Sequence, residues 1–216
     1  MSQIFNPENF FWKCFDKMAD VLGLSLLWFV CSLPLVTVGA ASTALYDAAA
    51  HCVRGGERTP YSRFLRTFKA EFKPATICWL VWGGVLLLPF AISNILANNA
   101  GDSETLALLS VVYYVLMVVP GGMLCWLFPL LSRFRYSLGG LNRTAAQFWF
   151  AHLPSTVVMA ALLGLCVDLC VQLLLPVCCL PCLLALAHSF FVERAFRKHL
   201  LGPKPGEEAE HREQPE

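Results

Sequence analysis

Long windows without charged residues constrain this chain more than any other feature. None of residues 21–46, 74–101 or 105–132 is Asp, Glu, Lys or Arg, and Asp168 is the only such residue in 144–192. A helix needs about 20 apolar residues to cross a bilayer core about 30 Å thick. Each window is long enough, so the sequence predicts an all-α fold, a polytopic bundle of transmembrane helices.

The composition agrees with lipid as the solvent. Of the 216 residues, 57% are hydrophobic and only 14% are charged, whereas soluble domains are about one quarter charged. The net charge of +1 gives no reason to expect a nucleic-acid partner, because the basic loops are explained by membrane topology. The bilayer itself is the first predicted partner.

The windows divide into about six predicted membrane helices within one membrane domain, residues 1–200. They lie at residues 19–34, 40–54, 75–97, 105–131, 154–174 and 176–193. The polar, Pro- and Glu-rich segment 201–216 is predicted to be a disordered cytoplasmic tail.

The segment 31–47, "CSLPLVTVGAASTALYD", decides between six helices and five. Pro34 discourages helix before it, Gly39 can turn, and Ser42 or Thr43 can cap a returning helix. That helix is short and Ala-rich, so it should be shielded by protein, since small residues favour close helix packing. If 40–54 does not cross again, the chain has five membrane helices.

Basic residues favour the six-helix alternative. In that topology all sixteen Lys and Arg residues lie on the cytoplasmic side, as do both termini. With five helices, the N-terminus with Lys13 and Lys17 lies outside. The predicted location is the plasma membrane, and a set of basic side chains is predicted to lie at the lipid interface: Arg63, Arg66, Lys69, Lys73, Arg133, Arg135 and Arg143.

A repeated unit precedes the hairpins. The amphipathic stretches "NFFWKCFDKMAD", "YSRFLRTFKAEFK" and "LNRTAAQFWFAHL" combine Phe or Trp with polar residues, as interfacial helices do. Two of them are followed by similar segments at Pro74 and Pro154. We therefore predict three repeats, each an interfacial helix followed by a hairpin. Pro89 and Pro120 predict kinks or unwound turns.

Neither the cysteines nor the N-terminus changes this prediction. Eight of the ten cysteines lie inside apolar runs, where Cys acts as a small hydrophobe. The "CLPC" at 179–182 lacks the electropositive, exposed setting of a redox motif. The small residues near Ala40 resemble a signal-peptide cleavage site, but the preceding region is long and carries three acids, so we expect no cleavage there.

The sequence resembles the YesL family of bacterial membrane proteins. The resemblance covers about residues 5–195 and is carried by "LLWFVCSLPLVTVGAASTALYDAAAHCVRGGE", "FLRTFKAEFKPATICWL" and "LSRFRYSLGGLNRTAAQFWFAHLPSTVV". It implies an integral membrane protein of bacteria, especially Firmicutes, whose gene neighbours include carbohydrate ABC-transporter genes. It implies no catalytic motif. Asp47 and His51 depart from the family pattern, which has apolar or Lys-type residues there.

Four polar residues form the candidate intramembrane site. Asp168 is the most costly of them, because a carboxylate in a membrane helix normally faces the bundle interior or a wet cavity. Gln172 lies on the same face, four residues later. Asp47 and His51 have the same spacing and can pair. Asp47, His51 and the distant Asp168 could form a polar track, but they make a poor metal-ligand set, so no metal is predicted.

Enzyme signatures do not appear in the sequence. It holds no phosphate-binding Gly-rich loop, no HExxH and no nucleophile elbow, so we predict neither an enzyme nor a cofactor.

The preferred hypothesis is an accessory or regulatory subunit linked to carbohydrate ABC transport, with transporter membrane subunits or a second copy as partners. The alternative is a small transporter or channel that uses Asp168.

Overall fold

The computed structural model describes residues 10–99, 101, 103–134, 138–172 and 175–200. For residues 10–14, 171, 175 and 197–200 it describes the backbone alone. The predictions for the N-terminal nine residues, for Arg135 and for the tail at 201–216 therefore lie outside the described residues.

The described chain is helical, with no strand in these ranges. Helix α1 leads into a single 3-10 turn at Leu35–Thr37, α2 continues into a π-helix at Ala49–Arg54, and a second 3-10 turn at Leu175–Cys178 precedes α9. The α-helices are α1 Phe10–Ser32, α2 Val38–Ala48, α3 Pro60–Ala70, α4 Phe72–Asn99, α5 Glu104–Leu116, α6 Val118–Arg133, α7 Leu138–Ala151, α8 Leu153–Gln172 and α9 Leu180–Leu200.

The first turn differs in detail from the sequence prediction. Helix α1 ends before Pro34, as expected, but α2 begins already at Val38. Gly39 therefore lies inside α2, where it lets two backbones approach: a Cβ built there would be 2.5 Å from the carbonyl oxygen of Ala75. Neither Ser42 nor Thr43 caps the helix. Thr43 donates a hydrogen bond to the carbonyl of Gly39 instead (2.9 Å).

Replacing Gly39 by valine should destabilise the fold by about 1–3 kcal/mol, as overpacking does when the neighbouring atom belongs to the backbone. Thermal unfolding of the purified protein in detergent measures this effect. Gly84→Val is the matched control, because a Cβ at Gly84 meets nothing within 4 Å. Equal unfolding temperatures for the two variants would contradict the close contact.

Helix α2 lies at the centre of the structure. Its residues from Gly39 to Ala48 are buried, with Ser42 the one exception, and it packs against α1, α3, α4, α6 and α9. It separates two apolar clusters, one around Trp126 and one around Leu24 and Phe64. This confirms that the Ala-rich helix is shielded by protein on all sides, as its small residues predict.

Three helical segments are long and apolar enough to cross a membrane: Phe72–Asn99, Glu104–Arg133 and Leu153–Cys170. Many of their large apolar side chains face outward, for example Leu88, Val112 and Leu165. Such an outward apolar surface suits lipid rather than water. The membrane-helix prediction is thus supported by these three segments. Helix α2 is shorter, about 16 Å at 1.5 Å per residue.

The prolines act differently from one another. A break at Met117 separates α5 from α6, in the turn that precedes Pro120, because Pro120 has no N–H to donate and its ring crowds the preceding turn. Helix α4 instead continues through Pro89 without a break, so of the two predicted alternatives, a kink or an unwound turn, the unwound turn does not occur there.

Two of the three predicted interfacial stretches form helices of their own. A single non-helical residue, Glu71, separates α3 from α4, and His152 separates α7 from α8. Pro74 and Pro154 follow in the first turn of the next helix, where a missing N–H is tolerated. The first stretch differs, since it is continuous with α1.

Candidate functional site

The best-connected polar group in the described structure is the carboxylate of Asp47, which is 3% exposed. Arg63 of α3 binds it with two parallel hydrogen bonds, Nε to Oδ2 at 2.9 Å and Nη2 to Oδ1 at 3.1 Å. Thr67, one turn further along α3, donates its hydroxyl to Oδ2 at 2.7 Å. A two-pronged guanidinium–carboxylate pair of this kind fixes both distance and orientation.

His51 completes the shell around Asp47. Its Nδ1 lies 3.1 Å from Asp47 Oδ1 and 3.0 Å from the Asp47 backbone carbonyl oxygen. The imidazole belongs to the π-helix Ala49–Arg54, a distortion that occurs mostly as single turns and often at functional sites. The predicted pairing of Asp47 with His51 is therefore present.

Arg63 links this cluster to the loop before α3. Its Nη1 donates to Oε2 of Glu57 at 2.5 Å, so one guanidinium serves two carboxylates. Its hydrogen bonds to Asp47 raise the pKa of Arg63 above the usual value, so the guanidinium stays charged at any physiological pH. Arg63, Thr67, His51, Glu57 and Asp47 together are called the Asp47 cluster below.

A second charged group lies at the other end of the π-helix. Arg54 donates to the carbonyl and hydroxyl oxygens of Ser189 at 3.0 and 3.2 Å, and its Nη1 is 3.7 Å from Glu193. Glu193 also accepts a hydrogen bond from Arg133 at the end of α6. The π-helix is thereby tied to α3 on one side and to α6 and α9 on the other.

Asp168 lies on the outer surface of α8. Its Oδ2 accepts a hydrogen bond of 2.7 Å from the side-chain amide of Gln172, so the predicted pairing of these two residues is present. Asp168 does not, however, occupy the expected position inside the bundle. The four candidate residues therefore form two separate pairs, Asp168 with Gln172 on α8, and Asp47 with His51 at the end of α2.

The predicted lipid-interface residues also divide into two groups. Arg63, with a side chain only 18% exposed, binds Asp47, and Arg133 binds Glu193, so these two form ion pairs within the chain. Both lie beside buried or half-buried acids that need a counter-charge. The remaining described bases of the set are exposed: Arg66, Lys69, Lys73 and Arg143.

The pairing of Asp47 with Arg63 was not predicted from the sequence. Asp47 and Arg63 are 16 residues apart on different helices, so no local spacing rule connects them. One signal was available. A buried carboxylate in an Ala-rich, shielded helix requires a base, and Arg63 and Arg66 are the first bases in the amphipathic helix that follows.

The geometry of the Asp47 cluster suits a clamp. Oδ2 of Asp47 accepts from Arg63 and Thr67, and Oδ1 accepts from Arg63 and lies 3.1 Å from Nδ1 of His51. The carboxylate is therefore already engaged by three side chains of this chain. Among the residues that the structure describes, no group of three or more His, Cys, Asp or Glu side chains is arranged to hold a metal ion.

The fold and the site define a helical protein that has three segments long and apolar enough to cross a membrane and an internal ion-pair clamp. Residues 21–91 match the model of a family described as "protein of unknown function, DUF624". That domain family is found in YesL-like proteins, and the matched residues contain α2, α3 and the whole Asp47 cluster. No curated protein and no solved structure matches the chain.

Proposed function

We propose that this chain is a YesL-type multi-pass protein of the bacterial plasma membrane, with both termini in the cytoplasm. It acts as an accessory or regulatory component of carbohydrate uptake by an ABC transporter. The YesL resemblance over residues 5–195, the family match over 21–91 and the three apolar helical segments support the class. The segregation of basic residues supports the orientation.

The position of Asp168 carries the proposal of a membrane partner. The residue lies within the apolar segment Leu153–Cys170 but on its outer surface, beside exposed Leu165 and Val167. A carboxylate in a membrane helix costs up to about 2.5–3.5 kcal/mol on insertion scales, the value for the helix centre. A partner helix that donates a hydrogen bond or a positive charge to Asp168 removes much of that cost.

The Asp47 cluster supports a non-enzymatic role. Its donors and acceptors are used within the chain, where they fix α3 and the π-helix to α2. Such a clamp gives a rigid scaffold against which a partner can bind. The transporter alternative needs Asp168 to line a path through the bundle, and its outward position favours the partner contact instead.

Co-purification from native membranes tests the proposal. The wild-type chain should recover membrane subunits of a carbohydrate ABC transporter. Asp168→Leu should recover about 5–30-fold less, because an interhelical hydrogen bond in a membrane contributes about 1–2 kcal/mol. Asp168→Asn, which keeps a hydrogen-bonding side chain, should stay close to wild type.

Glu104→Leu is the matched control, since Glu104 is an exposed acid at the start of α5. Recovery of no transporter component by the wild-type chain would overturn the proposal. Recovery of only further copies of this chain would replace the transporter by self-association. Solute flux in liposomes that Asp168→Asn abolishes would establish the transporter alternative.

A further inference from the structure

An aromatic groove opens on the surface between α4, α6 and α7. Its volume is about 330 Å³, within the range of about 300–1,000 Å³ that is usual for ligand pockets. Buried Met123 lies in it, and exposed Val119 and Phe150 form its rim. The other lining residues are Trp82, Asn142, Ala146 and Trp149.

The walls of the groove are held in place by the fold. Trp82 of α4 donates its indole N–H to Oδ1 of Asn142 on α7 at 2.8 Å, and the Asn142 amide donates to the carbonyl of Leu138 at 3.0 Å. Trp149 packs against Gly122, where an added Cβ would lie 2.5 Å from the indole nitrogen. The groove is therefore preformed. Asn142 is already hydrogen-bonded, whereas the buried indole N–H of Trp149 has no hydrogen-bond partner among the described residues.

The location of the groove indicates that it binds a hydrocarbon chain. Two of its walls, α4 and α6, belong to the segments that are apolar enough to cross a membrane. In the bilayer, an apolar groove that opens between such helices faces acyl chains rather than water. An unbranched acyl chain fits a surface of two indoles, a phenyl ring and aliphatic side chains.

The charge beside the groove indicates the headgroup. Arg143 follows Asn142 on α7 and is exposed. Phe150 lies two turns further along the same face, about 10 Å away at 1.5 Å per residue. The sequence holds no Asp or Glu between Glu104 and Asp168, and Arg143 has no salt bridge to any acid that the structure describes. An exposed guanidinium without an acid nearby is suited to a phosphate.

We infer that the groove binds an anionic phospholipid of the bilayer, with one acyl chain between Trp82 and Phe150 and the phosphate at Arg143. The aromatic walls select an acyl chain, and Arg143 selects an anionic headgroup over a zwitterionic one. This site is independent of Asp168 and of any transporter partner.

Native mass spectrometry of the full chain, purified in detergent, tests the inference. Dioleoylphosphatidylglycerol and dioleoylphosphatidylcholine have the same acyl chains, so their comparison isolates the headgroup. The wild-type chain should retain the anionic lipid about fivefold better, the effect of one base near an anionic lipid surface. Arg143→Gln should remove that preference while both lipids still bind.

Val119→Trp should fill the groove and reduce the retention of both lipids. Its matched control is Val112→Trp, which places the same indole on an exposed position of α5 away from the groove. Arg66→Gln, an exposed base on α3, is the control for charge. An unfolding temperature equal to that of the wild-type chain shows that Val119→Trp has folded. Arg143→Gln provides a second test, which does not alter the packing of the groove.

Several results would overturn the inference. Retention that is equal for the two lipids in the wild-type chain excludes the headgroup site. Lipid retention that is unchanged in folded Val119→Trp excludes the groove. Losses in the controls Val112→Trp and Arg66→Gln that equal those in Val119→Trp and Arg143→Gln exclude it as well. A change from dimer to monomer in Val119→Trp, without any change in bound lipid, would assign the groove to a second copy of the chain.

Discussion

Replacing Arg63 by alanine is expected to lower the free energy of unfolding by about 3–5 kcal/mol, because the substitution leaves a buried carboxylate without its counter-charge. Asp47 is 3% exposed, so water cannot replace the two hydrogen bonds from the guanidinium. Thr67 and His51 would still contact the carboxylate. The Thr67 hydroxyl is neutral, so it cannot replace the positive charge of Arg63. Thermal and denaturant unfolding of the purified protein measure the loss.

Two further variants distinguish the contribution of the ion pair to stability from that of its surroundings. Arg66→Ala removes an exposed base from the same helix and should change stability by no more than about 0.5 kcal/mol. The double variant Asp47→Leu, Arg63→Met replaces both charges by apolar groups and should recover much of the stability lost in Arg63→Ala. Equal stability of Arg63→Ala and Arg66→Ala would show that the buried pair does not hold α3 on α2.

Replacing Trp126 by alanine is expected to lower the free energy of unfolding by a similar amount, about 3–5 kcal/mol. Trp126 is fully buried in the larger cluster. It stacks on Phe148 of α7 with 5.3 Å between ring centroids and donates its N–H to the hydroxyl of Thr156 on α8 at 2.9 Å. Its removal leaves a void where three helices meet.

Trp126→Phe divides that loss into packing and hydrogen bonding. It keeps most of the ring contacts but removes the N–H. The loss of unfolding free energy should therefore fall to about 0.5–1.5 kcal/mol, the usual contribution of one hydrogen bond. Phe90→Ala serves as the control, since Phe90 is exposed on α4 and should affect unfolding little. A loss in Trp126→Ala no larger than in Phe90→Ala would contradict the central position of Trp126.

The positions of the helices could be predicted because the chain separates charged from apolar residues so clearly. The predicted segment 75–97 corresponds to α4 at Phe72–Asn99, and 154–174 corresponds to α8 at Leu153–Gln172. The ends were less accurate, as at α2, which begins at Val38 rather than at residue 40. Capping by Ser42 or Thr43 was the expectation, but both residues lie inside α2, and Thr37 at its N-cap makes no side-chain hydrogen bond that caps the helix.

The sequence could not predict which polar residues of different helices meet. Spacing along one helix correctly paired Asp47 with His51 and Asp168 with Gln172, because residues four apart share a face. It could not orient α8, so the outward position of Asp168 was missed. Nor could it show that Arg63 turns toward α2 while Arg66, three residues later, stays exposed, since both lie in one amphipathic helix.

The sequence by itself therefore determined the helical class, the apolar character of the membrane-type segments and the approximate positions of the helices, because these depend on local composition and on the period of apolar residues. Only the tertiary structure decided the direction that each polar side chain takes. That direction depends on which helices pack around α2, and such packing joins residues far apart in the chain, as in the pair of Asp47 with Arg63.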